Sequence, residues 1–434
     1  MFKTLGSAFK NRELRKSIII TLVLLLIYRL GCFLPTPGLD SSLYSNIAND
    51  DVTGLLSLLN AVTGSALANA SIFALGVTPY INASIIVQLL AVAIPALERL
   101  SKEGDEGRNK INLITKITAL ILALAQGLGI VLGLGGDYIV PIFGANLKWL
   151  TSIVVILILM AGTCFTMWLG DKITEQGIGN GLSLIIFVGI IATAAQSIVN
   201  AIKNIQYSIT YLWELVGFLA LVLLIFFLIA FVDMAERRIT VQYTKQVKGN
   251  KMYGGQSSYI PMKVNSSGVM PIIFASAIIT FPSLIISLFG KDASSGGFAG
   301  FWFNYFGTGT VLYSILTALL ILFFAYFYAQ IQFNPHDVSL NIQQHGGFIP
   351  GIRPGKPTME YLKKVSNRIT LFGAIFLAFI ALVPSVMFSA VAVGSQGLLN
   401  GFTATGMLIV VSVAIEIRDQ LEAQLMMKRH KNIL

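Results

Sequence analysis

The residues most often used for catalysis are sparse in this sequence, and their spacing builds no reactive site. The histidines are His336, His345 and His430, and the cysteines are Cys32 and Cys164. The histidines fall in polar connections, whereas the cysteines fall in separate apolar runs, where packing explains them best. No Ser-His-Asp, HExxH or paired-carboxylate arrangement lies in an apolar run. The sequence therefore predicts no enzyme, no cofactor and no metal site.

A second kind of polar chemistry is uncharged and lies within the apolar runs. The stretch ALGVTPYINASIIVQLLAV carries Asn82, Ser84 and Gln88, while Gln126 and Asn265 occur in or beside later apolar runs. Taken singly, each residue is explained by an ordinary hydrogen bond between membrane helices. Taken together, they favour a seam between helices that must sometimes face water.

The elements that position these residues are membrane helices. Of 434 residues, 55% are hydrophobic and 12% are charged, and the mean hydropathy is +0.77. A soluble domain carries roughly 25% charged residues, so the composition predicts a polytopic membrane protein. With about 20 apolar residues needed per crossing, the sequence predicts ten spans at 18–35, 71–96, 113–135, 149–169, 180–200, 211–232, 268–289, 308–331, 368–389 and 401–418.

The distribution of positive charge orients these spans. All but four of the 30 lysine and arginine residues fall in the termini and connections of one side. Lys148, Lys203 and Lys291 lie on the other side, and Arg29 lies near the outer end of the first span, where it can snorkel to the interface. Because cytoplasmic loops are enriched in these residues, the sequence predicts that both termini are cytoplasmic.

The spans also lack the groups that drive coupled transport. No ionisable residue lies near the centre of a predicted span, whereas ion-coupled transporters usually hold carboxylates or histidines there. The chain has no GxxxxGK[ST] loop, so it is not an ATPase by that route. An inverted-repeat secondary transporter for a neutral solute and a membrane-embedded scaffold remain open on these grounds.

One apolar segment outside the predicted spans, residues 53–71, is too short to cross the membrane. Gly54 and Gly64 lie at the ends of the short helix predicted within it. It is predicted to be a re-entrant or interfacial helix, and a helix lying on the outer membrane surface is the open alternative. Its apolar face would be formed by Leu55, Leu56, Leu58, Leu59 and Val62.

Two long basic loops lie on the predicted cytoplasmic side, at about 236–267 and 332–367. Alternation in the first predicts a β-hairpin. The second presents Arg353 and Lys356 on a glycine–proline tip, followed by a helix for which Thr358 is the predicted N-cap. Structured basic loops favour docking of an acidic protein or RNA, although a solvated surface would carry the same charges.

Four motifs in chain order, SIFALGVTPYINASIIVQLL, GDKITEQGIGNGLSLIIF, KVNSSGVMPIIFASAI and FIPGIRPGKPT, resemble the SecY family of bacterial protein-conducting channels. The resemblance implies an all-α polytopic fold of ten transmembrane helices. These would form two inverted five-helix halves, 1–200 and 201–434, around an hourglass pore, with a short re-entrant plug helix at about 53–66.

The resemblance also implies roles for individual residues. The pore ring would comprise Ile81, Ile85, Leu182, Ile186, Ile273 and Ile409, with Leu182 where relatives often have isoleucine. A lateral gate between spans 2, 3, 7 and 8 would include Thr78, Gln88, Gln126 and Asn265. The plug would include Leu55, Leu58, Leu59, Asn60 and Gly64. Docking of SecA or the ribosome would use Arg237, Arg238, Lys245, Arg353 and Lys356.

The implied function is translocation of unfolded secretory polypeptides across the bacterial cytoplasmic membrane and lateral release of membrane-protein helices into it. Implied partners are the SecE and SecG membrane subunits, the SecA motor ATPase, the ribosome with its rRNA, signal sequences, nascent polypeptides and the lipid bilayer. Aliphatic side chains suit such a pore, because they close around a chain without binding it and exclude ions by dewetting. Polar gate residues would let an apolar helix partition into lipid.

Overall fold

A computed structural model of the chain describes residues 6, 9–40, 63–133, 139–141, 147–205, 210–243, 246–248, 251–253, 257–265, 268–288, 297–306, 310–391 and 402–431. The first helices are α1 (Arg12–Gly31), α2 (Thr78–Ala93), α3 (Pro95–Lys102), α4 (Asp105–Gly133), α5 (Lys148–Gln176), α6 (Gly181–Ile205) and α7 (Thr210–Asp233). The later helices are α8 (Met270–Leu288), α9 (Phe298–Phe306), α10 (Val311–Gln332), α11 (Pro335–Gln344), α12 (Lys356–Val391) and α13 (Ala404–Lys431).

Each predicted span overlaps one of these helices. Within the described residues, six helices are long and apolar enough to cross a membrane, namely α4, α5, α6, α7, α10 and α12. The helices α2 and α8 contribute shorter apolar stretches, Thr78–Ala93 and Met270–Ile279. Charged residues in α1 and α13, such as Arg15 and Arg418, shorten the apolar part of those helices.

Among the outer ends of the predicted spans, that of the second span differs most from the observed helix. The sequence predicts a helix from residue 71, but residues 71–77 form turns and α2 begins at Thr78. Gly76 has a φ of +53° and ends the turns, and Pro79 occupies the first turn of α2. Pro95 follows the end of α2 at Ala93. The 16 residues of α2 cover about 24 Å at 1.5 Å per residue.

The chain divides into two compact units that differ from the predicted halves. The first unit comprises Met1–Phe218, Ala277–Tyr313 and Phe388–Leu434. The second comprises Leu219–Ser276 and Ser314–Met387. The division into inverted halves at residue 200 stays a prediction.

The core of the first unit is built where the turns before α2 pack against α4 and α5. Gly162 of α5 permits this approach, because a Cβ there would overlap the carbonyl oxygen of Ile72. A substitution at Gly162 would therefore have to displace backbone. The buried members of the cluster are Leu67, Ala70, Ala74, Leu75, Ala123, Val131, Ile139, Val155 and Leu159.

The second unit carries a small sheet formed by both long loops. Its strands are β1 (Glu236–Tyr243), β4 (Ser257–Lys263) and β5 (Gly347–Phe348), while β2 (Gln246–Lys248) and β3 (Lys251–Tyr253) pair separately. The antiparallel pairing of β1 with β4 confirms the predicted hairpin. The pairing of β5 with β1 was not predicted, and it joins the two loops. The sheet packs on α11 and α12 through Ile239, Val241, Met262, Ile342, Ile349 and Leu362.

Candidate functional site

Three of the five predicted pore residues in the first unit are buried. Ile85, Ile186 and Ile409 are 4%, 7% and 6% exposed. Ile81 and Leu182 are half-buried. Asn180 fixes the start of α6, the helix that carries Leu182 and Ile186. Its side-chain oxygen accepts hydrogen bonds from the backbone amides of Leu182 and Ser183.

Helices α6 and α13, which carry Ile186 and Ile409, pack against each other. A Cβ on Gly406 would lie 3.0 Å from the side chain of Ile190. Ile186 lies one helical turn from Ile190, and Ile409 lies one turn from Gly406. Helix α2, which carries Ile81 and Ile85, packs against α4 and α5, where Ala83, Ala119 and Met167 form a buried cluster.

Ile273 belongs to the second unit, where it is half-buried near the start of α8. The complete six-residue ring therefore stays a prediction.

The end of the predicted plug contacts α6, the helix that carries the predicted pore residues Leu182 and Ile186. Gly64 has a φ of +70°, and a Cβ there would lie 2.8 Å from the Cα of Gly189 on α6. Gly189 is three residues from Ile186, so the segment ends one turn from a predicted pore residue. The other predicted plug residues, Leu55, Leu58, Leu59 and Asn60, lie outside the described residues.

Two side chains of α1 hold this segment end. The Arg29 guanidinium (Nη1) donates a hydrogen bond of 2.9 Å to the carbonyl oxygen of Gly64. The Tyr28 hydroxyl donates to the carbonyl of Thr63 at 3.5 Å, and the Tyr28 ring stacks on Phe73 at 5.8 Å. Sequence reasoning gave Arg29 only an interfacial position, because a backbone carbonyl as partner leaves no trace in the residue pattern.

The described part of the segment is embedded in protein. Ala66 and Ala70 are 0% exposed, and Leu67 is 4% exposed. The backbone amide of Thr36 donates to the carbonyl of Ala70 at 2.8 Å. A helix lying on the outer membrane surface, the open alternative for residues 53–71, therefore does not describe residues 63–71, and residues 53–62 lie outside the described residues.

This embedded segment also stores backbone strain. Ser65 and Ala70 have φ values of +66° and +46°. An L-residue in the left-handed region costs about 1–2 kcal/mol, so the two together cost about 2–4 kcal/mol. Strain of this kind persists only where surrounding contacts hold the backbone in place.

The predicted gate residues differ in their surroundings. Gln88 is half-buried and donates to the Ser84 hydroxyl at 3.1 Å within α2. Thr78 has a buried hydroxyl that makes no hydrogen bond within the described residues. Gln126 is half-buried on α4.

Asn265 is 7% exposed and lies in the second unit, just before α8. Its amide (Nδ2) donates at 2.6 Å to the Oδ1 of Asp233 at the end of α7. Sequence reasoning placed Asp233 only at a span end and missed this pairing. Grouping of the four gate residues into one seam stays a prediction.

The predicted docking residues that the structure describes lie on the two loops that share the sheet. Arg237, Arg238, Arg353 and Lys356 are exposed, whereas Lys245 lies outside the described residues. Arg238 forms an ion pair, in which its Nε lies 2.7 Å from the Glu236 carboxylate. That hydrogen bond raises the pKa of Arg238 above its ordinary value.

Two buried hydroxyls brace the tip that carries Arg353. Thr358 is 1% exposed, and its hydroxyl donates to the Arg353 carbonyl at 2.9 Å. The hydroxyl of Ser339 on α11 donates to the carbonyl of Gly355 at 2.9 Å. The predicted N-cap role of Thr358 is wrong, because α12 begins at Lys356 and Thr358 lies within its first turn.

Within the described residues, no group of three or more histidine, cysteine or acidic side chains is arranged to hold a metal ion.

The chain matches known proteins over nearly its whole length. The family model described as SecY matches residues 71–418. The protein translocase subunit SecY of Buchnera aphidicola subsp. Schizaphis graminum is 40% identical over 442 residues, covering 100% of this chain and 99% of that protein.

Solved structures share the fold at lower sequence identity. One described as "The structure of a protein conducting channel" has a TM-score of 0.66 and 18% identity, covering 94% of this chain and 92% of that one. Another, "Sec61 in the Canine ribosome-channel complex from the endoplasmic reticulum", has a TM-score of 0.61 and 17% identity over the same shares, 94% and 92%.

The full-length match excludes the secondary-transporter and scaffold alternatives, since the matched family is a protein translocase. The mostly helical polytopic fold is the SecY channel fold. The chain therefore belongs to the SecY family, and it is a non-enzymatic, protein-conducting channel subunit of a protein translocase.

Proposed function

We propose that the translocating polypeptide passes through a waist lined by Ile81, Ile85, Leu182, Ile186, Ile273 and Ile409, and that residues 53–66 close the outer side of this waist as a plug. One observation carries the proposal. Along α6, the segment end at Gly64 contacts Gly189, one turn from Ile186, and the next contact joins Ile190 to Gly406 of α13. The end of the proposed plug thus lies close to the part of α6 that carries Ile186, and the next turn of α6 contacts α13, which carries Ile409.

The aliphatic character of the proposed waist suits an unfolded cargo. Leucine and isoleucine offer bulk without hydrogen-bonding groups, so they can surround any sequence without retaining it. A constriction of such side chains excludes ions by dewetting when no polypeptide is present. Burial of Ile85, Ile186 and Ile409 supports this role, because a lipid-facing residue would be exposed in the isolated chain.

We further propose that α2, α4, α8 and α10 form a lateral gate, through which apolar helices leave for the bilayer. Thr78, Gln88, Gln126 and Asn265 would lower the cost of wetting this seam. The hydrogen bonds of Gln88 to Ser84 and of Asn265 to Asp233 support this proposal, because they pair the side-chain amide nitrogens of two of the four gate residues with acceptors.

The braced tip of the second unit is the proposed docking site for SecA and for the ribosome, including its rRNA. It presents Arg353 and Lys356 on a backbone fixed by Thr358 and Ser339. A structural relative occurs in a ribosome–channel complex. By the charge distribution of the loops, both termini are cytoplasmic, in the bacterial cytoplasmic membrane. SecE and SecG are the proposed membrane partners.

The waist is tested by crosslinking a stalled secretory precursor to single cysteines. Cysteine would replace Ile81, Ile186, Ile273 or Ile409 in a chain without Cys32 and Cys164. As a matched control, cysteine would replace Leu224, which is 56% exposed on α7. We expect crosslinks at the four waist positions and none at 224. Crosslinks at 224 alone, or equal yields everywhere, would refute the waist.

A further inference from the structure

The short helix α9 lies in the connection between α8 and α10, and six of its nine residues, FAGFWFNYF, are aromatic. We propose that α9 binds lipid. Its aromatic face inserts into the boundary between headgroups and acyl chains in the outer leaflet, and thereby anchors the connection between two proposed gate helices. This inference rests on the proposed function, because it takes the connection to lie on the outer side of the membrane.

Two opposite sides of α9 differ in residue size and in burial. Phe298, Phe301 and Tyr305 are 67%, 51% and 56% exposed, and 3.6 residues per turn place them on one side. The other side carries Ala299, which is 4% exposed, and Gly300, which is also buried. The small residues of α9 therefore pack against protein, while its large aromatic residues face outward.

This arrangement is the reverse of the one that water favours. A helix at the surface of a soluble protein turns its large apolar side chains toward the core and its polar side chains outward. In α9, Asn304 is exposed and is the only polar residue without an aromatic ring, and it lies beside the aromatic side rather than on it. A helix at a membrane surface needs such sides, because it meets lipid, protein and water at once.

The aromatic rings form one continuous surface. Ring centroids lie 6.2 Å apart for Phe298 and Trp302, 4.9 Å apart for Phe301 and Tyr305, and 4.8 Å apart for Trp302 and Phe306. Each pair is one helical turn apart, so the rings support one another along the helix. Tryptophan and tyrosine combine an apolar ring with a polar group, and they are enriched where acyl chains meet headgroups. Their presence favours the interface over the hydrocarbon core.

The flanking chain keeps α9 near the bilayer and free of charge. Only residues 307–310 separate Phe306 from Val311, the first residue of α10, so the two helix ends lie within about 17 Å of each other. Val311 is itself 77% exposed. No lysine, arginine, aspartate or glutamate occurs from Ala293 to Pro335. Lipid suits this uncharged aromatic face better than a charged protein partner does.

The test measures the depth of Trp302 in the reconstituted complex by fluorescence quenching. Phenylalanine replaces Trp149, Trp168 and Trp213, and any tryptophan of the other subunits, so that Trp302 is the only reporter. The quenchers are phospholipid brominated high in the acyl chain, phospholipid brominated at the chain end, and aqueous iodide. As a deep control, tryptophan replaces Leu223, which is 66% exposed on α7, in a complex that lacks Trp302.

We expect bromine high in the chain to quench Trp302 more than bromine at the chain end, because interfacial helices lie about 5–10 Å into this boundary. Leu223→Trp should show the reverse order. Tyr305→Asp, which charges the aromatic side, should lose lipid quenching and gain iodide quenching. Asn304→Asp, a matched control in the same turn, should change neither. If Tyr305→Asp does not accumulate, the order of quenching at Trp302 alone decides the question.

The other quenching results refute the anchor. Quenching by iodide alone would place the aromatic face in water, and quenching by no agent would mean that a protein surface covers it. Stronger quenching by chain-end bromine would place α9 in the hydrocarbon core. An equal loss of lipid quenching in Asn304→Asp would show that the aromatic side has no special role.

The side of the membrane is tested separately, so the two failures are distinguishable. Cysteine replaces Asn304 in a chain without Cys32 and Cys164 and is treated with a maleimide that cannot cross the membrane. Labelling from outside together with an absence of lipid quenching would refute the anchor while the proposed topology stands. Labelling only from the cytoplasmic side would overturn the proposed topology, and the outer-leaflet anchor with it.

Discussion

Replacement of Gly64 by alanine should open the resting channel to ions. The new Cβ would lie 2.5 Å from Nη1 of Arg29, and 2.8 Å from the Cα and 3.1 Å from the carbonyl oxygen of Gly189. The two Gly189 atoms belong to the backbone of α6, so they cannot rotate away as the Arg29 side chain can. The segment must move instead, and its movement also stretches the hydrogen bond from Arg29.

Two free-energy costs determine how far the closed-to-open ratio shifts. Alanine at a φ of +70° costs about 1–2 kcal/mol relative to glycine. Loss of a hydrogen bond to a charged group adds about 1.5–3 kcal/mol if the contact breaks fully. The first term alone shifts the closed-to-open ratio about five- to thirtyfold, which sets the minimum expected change.

The assay is ion conductance of the purified complex in a planar bilayer without precursor. Gly104→Ala is a matched control, because Gly104 has a φ of +78° and a Cβ there would meet no atom within 4 Å. It carries the same backbone cost in the turn between α3 and α4. We expect conductance events to become about five- to thirtyfold more frequent in Gly64→Ala only. Equal conductance in the two variants would refute the idea that the close packing of Gly64 keeps the channel shut.

Three further predictions concern the second unit. Arg353→Glu should abolish SecA-dependent export while insertion and complex formation continue, as measured by export and co-purification; normal export would count against docking at the tip. Thr358→Val should weaken SecA or ribosome binding about two- to tenfold, because it removes a hydrogen bond worth about 0.5–1.5 kcal/mol; a binding titration checks this, and exposed Thr240→Val should have no effect. Leu362→Ala, at a side chain that is 0% exposed, should destabilise the sheet by about 2–5 kcal/mol; unchanged proteolysis of the loops would contradict that packing.

The spans were predictable because each needs a long apolar run, and the run itself is the signal. The outer end of α2 was not, since residues 71–77 are as apolar as the helix that follows. What separates them is tertiary: the Ile72 amide donates to the Leu34 carbonyl at 3.0 Å, and Gly162 lets that backbone approach α5. Hydropathy does not record such contacts.

In the candidate site, too, regular sequence patterns were predictable and individual tertiary contacts were not. Alternating residues in β1 predicted its pairing with β4, but the two residues of β5 are too few to show any period. The identities of the pore residues came from motif resemblance. The partners of Arg29 and Thr358 are backbone carbonyls, which every residue supplies, so nothing in the sequence could mark them.

The pairing of β5 with β1 gives the second unit a mechanical property. The chain passes from β5 through the Arg353 tip into α12, whereas β1 follows directly from the end of α7. A push applied at Arg353 is therefore shared between a covalent path into α12 and a hydrogen-bonded path through β1 into α7. If a partner that drives a polypeptide into the channel docks at this tip, as proposed, its recoil would be spread over two membrane helices, and a nick in either loop alone would leave at least one path able to bear load.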